Sequence, residues 1–106
     1  MAKRIVWSRQ AQNDRIKILK FWVEHNHSAS YSIKLNHLFK EAVRLIAKFP
    51  EIGKPTDFED VKGKIVLDYY IYYEVRKDEL HILTIWDTRQ DPDKLNNKLK
   101  KSKKAH

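Results

Sequence analysis

Cysteine is absent from the 106 residues, which excludes a disulfide framework and a thiolate metal site. This is typical of proteins from a reducing compartment, and we expect a cytoplasmic location. No stretch approaches the roughly 18 consecutive apolar residues of a membrane-spanning helix. The apolar run that follows Arg4 is too short for the core of a signal peptide. The sequence therefore predicts a protein with no membrane partner.

Glycine and proline are scarce, with two and three residues respectively, so we expect long elements with few breaks. The β-branched and aromatic run at 4–7 predicts a strand, and Ser8 is placed to cap a helix from 9 to about 25. A second helix is predicted from about 31 to 48, where apolar residues recur at helical spacing, and Pro50 ends it.

The apolar stripe of the second helix indicates which residues it buries. Its members are Leu35, Leu38, Phe39, Ala42, Leu45, Ile46 and Phe49. On this register we expect Leu38, Ala42 and Ile46 to be buried between the two helices.

After residue 55 the apolar pattern changes to that of strands. Strands are predicted over 61–66, 69–76 and about 80–86, and the short turns between them imply antiparallel pairing. A short basic C-terminal helix is predicted to start near Pro92. The order β-α-α-β-β-β-α predicts an α+β fold in a single domain, 1–106, with two N-terminal helices packed on one face of a small antiparallel sheet.

Alternation of side chains along the middle strand separates its aromatic residues. One face is expected to carry Tyr69, Ile71, Tyr73 and Val75, and the other Tyr70, Tyr72, Glu74 and Arg76. The tyrosines of the second face are either half-buried sheet residues or platforms on which nucleic-acid bases stack.

Positive charge dominates the composition: 22 Lys and Arg oppose 14 Asp and Glu, a net charge of +8. A field of this sign attracts nucleic acid, the ribosome or an acidic protein. Lysines crowd the segment at about 93–106, which is interpreted as a solvated basic tail with few core contacts.

Four local strings, taken in order, resemble the RelE/ParE superfamily of bacterial toxins. They are IVWSRQAQND at 5–14, FPEIGKP at 49–55, DYYIYYEV at 68–75 and TIWDTRQDP at 84–92. The resemblance covers nearly the whole chain. It implies a growth-inhibiting toxin of a type II toxin–antitoxin system, neutralised by a cognate antitoxin within a toxin–antitoxin hetero-oligomer.

The resemblance also implies a candidate catalytic set, since RelE-like toxins cut mRNA on the ribosome. There the 2′-hydroxyl attacks the adjacent phosphate, which requires a base, an acid and cations. Arg89 matches the family's Arg after the last strand, while Lys62 and Lys64 share one face of a strand. We expect these three to converge on one phosphate. The substrate-binding candidates are Lys54, Tyr70, Arg76 and His81.

No metal or cofactor is expected. His25, His27 and His37 have no carboxylate or cysteine at ligand spacing. The sequence also contains no glycine-rich phosphate loop and no dinucleotide fingerprint.

Two targets stay open at this stage, because the chain departs from the RelE pattern. Tyr70 and Glu74 stand where RelE nucleases carry basic residues, and Asp87 stands where a His is common. Asp87 is also close enough in sequence to form an ion pair with Arg89. The main hypothesis is a ribosome-dependent endoribonuclease that acts on mRNA. The alternative is a ParE-type toxin that poisons DNA gyrase by binding and needs no nuclease site.

Overall fold

A computed structural model describes residues 2–104 of the chain. The elements are β1 (Arg4–Trp7), α1 (Arg9–Asn26), α2 (Ser30–Lys48), β2 (Lys54–Pro55), β3 (Val61–Val66), β4 (Tyr69–Arg76), β5 (Glu79–Asp87) and α3 (Pro92–Lys104). This order confirms the predicted α+β fold and adds one very short strand, β2, at the end of the string at 49–55. Within the described range, no helix is long and apolar enough to cross a membrane.

The five strands form one sheet in the order β1-β5-β4-β3-β2. Strands β3, β4 and β5 pair antiparallel as predicted, but β1 pairs parallel to β5. The sheet is therefore mixed, and the prediction of a purely antiparallel sheet was wrong in this respect. Short turns set only the directions of neighbouring strands, whereas β1 reaches its partner through two helices, so its direction depends on the tertiary fold.

Helices α1 and α2 cover one face of the sheet and form the main core with it. The Ser8 hydroxyl accepts a hydrogen bond from the Ala11 amide and so caps α1 as predicted. The buried cluster comprises Ala11, Leu35, Phe39, Val43, Ile46, Ala47, Tyr69, Ile71, Tyr73, Leu80, Ile82 and Ile85. Tyr69, Ile71 and Tyr73 thus share a face, as the alternation of β4 predicts.

The predicted register of α2 was partly wrong. Ile46 is fully buried, but Leu38 and Ala42 are only half-buried. Leu45 and Phe49, assigned to the same stripe, are 44% and 57% exposed. The buried stripe is rotated toward Val43, because the tilt of the helix on the sheet and its neighbour α1 together decide which side of a broad apolar face is covered.

Helix α3 packs on the opposite face of the sheet. Its Leu99 is 1% exposed and joins Val61, Tyr72, Leu83 and Trp86 in a second apolar cluster. The interpretation of segment 93–106 as a solvated tail with few core contacts was therefore wrong for 93–104, which lies in α3 and is anchored by Leu99; residues 105 and 106 lie outside the described range. Single leucines at helical spacing among lysines are a weak sequence signal of burial. They are core residues here because α3 packs on an apolar face of the sheet that the other two helices leave uncovered.

Candidate functional site

The predicted catalytic residues do not converge. Lys62 lies opposite Tyr73 on β4, while Arg89 follows Asp87, which lies opposite Tyr69. Four residues of strand separate the two levels by about 13 Å, and the intervening strand β4 adds two inter-strand spacings of about 4.8 Å each. The expectation that Lys62, Lys64 and Arg89 meet at one phosphate was wrong, because β4 lies between β3 and β5 and neither lysine borders the cavity that Arg89 borders.

Lys62 and Lys64 project on the side of the sheet that α1 and α2 cover. Lys62 borders a cavity of about 250 Å³ with Pro50 and Tyr73. The Lys64 ammonium lies 3.4 Å from the carbonyl oxygen of Ile65. Neither lysine lines the cavity that Arg89 borders.

Lys54 and Tyr70 are brought together in a cleft of about 310 Å³ between β3 and α3. The ring of Tyr70 stacks on that of Tyr72, with 5.6 Å between centroids and 27° between planes. Gly63 makes this arrangement possible, because a Cβ there would lie 2.8 Å from a Tyr72 ring carbon. Tyr72 is buried in the second apolar cluster, so Tyr70 is the more accessible ring of the two.

Arg76 and His81 lie at the other end of the sheet and border a separate cavity. Arg76 pairs with Glu74 at 2.9 Å, and the His81 Nε2 lies 3.0 Å from a Glu79 carboxylate oxygen. Burial, followed by the nearby Arg76 charge, lowers the pKa of His81. A neutral imidazole with its proton on Nε2 still donates to Glu79, so the contact does not require the charged ring.

Arg89 borders a cleft of about 260 Å³, called here the Arg89 cleft, into which α1, β4, β5 and α3 all project side chains. Its guanidinium donates from Nε to Asp87 Oδ1 at 2.9 Å and from Nη2 to Asp87 Oδ2 at 2.7 Å. These bonds hold the pKa of Asp87 below its usual range, and the same pairing raises the pKa of Arg89. Two of the donors that a phosphate would need are therefore already used by Asp87.

The Arg89 cleft also holds a buried carboxylate, Asp14, to which the sequence analysis assigned no role although it ends the string at 5–14. Asp14 on α1 is 8% exposed and accepts hydrogen bonds from the Thr84 hydroxyl and from the Ile85 amide, the latter at 3.2 Å. The Lys98 ammonium of α3 lies 2.9 Å from its other oxygen. Asp14 thus ties α1, β5 and α3 together. Its signal in the sequence was its place in the string at 5–14 that resembles the superfamily.

The walls of the Arg89 cleft are largely apolar. Ile18 and Phe21 contribute from α1, and Ile85 and Trp86 from β5. The Lys98 ammonium also lies 5.3 Å from the centre of the Trp86 ring, within the range of a cation–π contact. Trp86 and Arg89 therefore border the same cleft.

The histidines show no metal-binding arrangement. Among residues 2–104, no three His, Asp or Glu side chains cluster at metal-binding distance. His37 instead pairs with Glu41 on the surface of α2, at 2.9 Å. His25 stacks on Phe21 near the end of α1, with 5.5 Å between ring centroids.

Comparison with known proteins places this geometry in a family. The family described as "ParE toxin of type II toxin-antitoxin system, parDE" matches residues 5–92. A solved structure titled "Chromosomal ParDE TA system from P. aeruginosa" superimposes with a TM-score of 0.73 at 18% identity, covering 83% of this chain and 98% of that one. No curated protein matches significantly. The solved structure supports the fold, and the family match spans most of the sequence. The chain belongs to the ParE toxin family of type II toxin–antitoxin systems.

Proposed function

We propose that this toxin inhibits growth by binding and poisoning DNA gyrase, without cutting RNA. The observation that carries the proposal is the separation of the basic groups. Arg89 is engaged by Asp87 in one cleft, whereas Lys62 borders a different cavity. This is the alternative of the two sequence hypotheses, and membership of the ParE family favours it.

Chemistry argues against the ribosome-dependent nuclease. Attack by a 2′-hydroxyl requires a base, an acid and a stabiliser of charge, all within hydrogen-bonding reach of one phosphate. The candidate residues border three different cavities: Lys54 and Tyr70 share one, Lys62 borders a second and Arg89 a third. None of these cavities combines the residues to which the sequence analysis assigned the cleavage.

A type II toxin also has an antitoxin partner, and the charge of this chain suggests its chemistry. We expect an acidic or amphipathic antitoxin segment, because the toxin carries a net charge of +8 and opposite charge accelerates association. Raising the salt concentration should slow association more than it speeds dissociation.

Two assays of the purified protein test the proposal. The toxin should inhibit supercoiling by purified gyrase, and it should leave mRNA uncut in primer extension on actively translating ribosomes. Arg89→Ala and Lys64→Ala serve as comparators in both assays after circular dichroism confirms that each is folded. Codon-specific cuts that disappear in Arg89→Ala, together with unimpaired supercoiling, would restore the nuclease hypothesis and eliminate this one.

A further inference from the structure

The rim of the Arg89 cleft presents two exposed side chains, a lysine and a phenylalanine, both from α1. Lys17 lines the cleft, and its ammonium forms no ion pair with any residue of the described range. Phe21 lies one helical turn further along α1, on the same side, and is 50% exposed. An exposed aromatic ring beside an unpaired cation, at the rim of a concave cleft, is typical of a protein interaction site.

The charges of the cleft indicate the chemistry of its partner. Asp14 neutralises Lys98 and Asp87 neutralises Arg89, so Lys17 supplies the remaining positive charge. One unpaired cation suits a single carboxylate better than a nucleic acid, whose binding depends on several cations that each meet a phosphate. The apolar walls formed by Ile18 and Trp86 suit a hydrophobic side chain instead.

A second copy of the chain is also a poor occupant. Each copy carries a net charge of +8, so the two would repel each other as they approached. A protein segment that carries a carboxylate next to a hydrophobic residue satisfies both halves of the site.

We propose that the Arg89 cleft is the surface on which this toxin docks a segment of gyrase. An apolar side chain of gyrase enters between Phe21 and Trp86, and a neighbouring carboxylate pairs with Lys17. This inference rests on the proposed function and specifies which part of the toxin performs it. The Asp14–Lys98 and Asp87–Arg89 pairs position the walls, so the cleft is formed before the partner arrives.

The test compares cleft variants with matched variants on the outer side of α2. Lys17→Glu and Phe21→Ser alter the cleft. Lys40→Glu makes the same charge change at an exposed position, and Leu45→Ser removes an apolar side chain of similar exposure, 44%. For each folded variant, the dissociation constant for purified gyrase is measured without DNA, and inhibition of supercoiling is measured with it.

We expect Lys17→Glu and Phe21→Ser each to weaken both binding and inhibition by about tenfold or more, with the controls within about twofold of wild type. If the wild type inhibits gyrase and the cleft variants match it, the docking site lies elsewhere while the proposed function stands. If the cleft variants bind DNA-free gyrase normally yet no longer inhibit it, the cleft contacts DNA and the protein-segment proposal is wrong. If the wild type neither binds nor inhibits gyrase, both proposals fail together.

Discussion

Removing the Asp14 carboxylate should destabilise the protein, because two buried donors depend on it. Thr84 is fully buried, and its hydroxyl and the Ile85 amide both donate to Asp14. In Asp14→Ala each donor loses its acceptor, at about 1–3 kcal/mol per buried group. Lys98 adds little to this cost, because its side chain is 38% exposed and can turn toward water. We expect a total loss of about 2–6 kcal/mol in the free energy of unfolding.

Variants of Lys98 and a milder variant of Asp14 should lower the free energy of unfolding by smaller amounts. Lys98→Met leaves Asp14 with two donors and should cost about 1 kcal/mol. Asp14→Asn retains an acceptor oxygen for Thr84 but loses the ion pair, so it should fall between Lys98→Met and Asp14→Ala. The double-mutant cycle of Asp14→Asn and Lys98→Met should show a coupling free energy of about 1 kcal/mol.

Urea unfolding followed by tryptophan fluorescence measures these differences. In a domain of this size each kcal/mol should also lower the melting temperature by about 4–8 °C. Asn13→Ala, an exposed neighbour on α1, and Lys100→Met, an exposed lysine on α3, are the controls. The reasoning is refuted if Asp14→Ala unfolds within about 0.5 kcal/mol of Asn13→Ala.

Three further predictions concern other parts of the fold. Leu35→Ala should lower the free energy of unfolding by about 2–5 kcal/mol because Leu35 is fully buried. Leu45→Ala should change it by less than about 0.5 kcal/mol because Leu45 is exposed. Similar urea midpoints for the two variants would show that the register of α2 is wrong. Gly63→Ala should be destabilising in the same assay, because overpacking against Tyr72 costs about 1–3 kcal/mol. This cost outweighs the stabilisation of about 0.4–1 kcal/mol that alanine gives by lowering the entropy of the unfolded chain. Increased stability would contradict the reasoning. The pKa of His81 is lower in the folded protein than in the unfolded chain, so the unfolded chain binds more protons as pH falls through about 6.5. The free energy of unfolding should therefore decrease from pH 7 toward pH 5, and it should decrease less in His81→Gln. The same dependence of this free energy on pH in both proteins would argue against the lowered pKa.

The sequence by itself determined the elements and their order. Helical spacing, the Ser8 cap, Pro50 and the alternation along β4 are local signals, and they placed the helices and the three long strands within about two residues. The same alternation placed Tyr69 and Tyr73 on one face of β4, and the structure shows that this face lines the main core. Local strings also indicated the superfamily, because the spacing of short motifs survives where overall identity is low.

Tertiary structure alone decided how these elements combine. The parallel pairing of β1 with β5 and the burial of Leu99 both involve residues far apart in the chain, and no local pattern encodes such partners. For the site, the sequence identified Arg89 but supplied Lys62 and Lys64 as its companions, because residue type does not reveal the position of a side chain along a neighbouring strand. The companions that the fold provides are Asp14 and Lys98, which lie on separate helices and meet only when both helices pack against the end of β5.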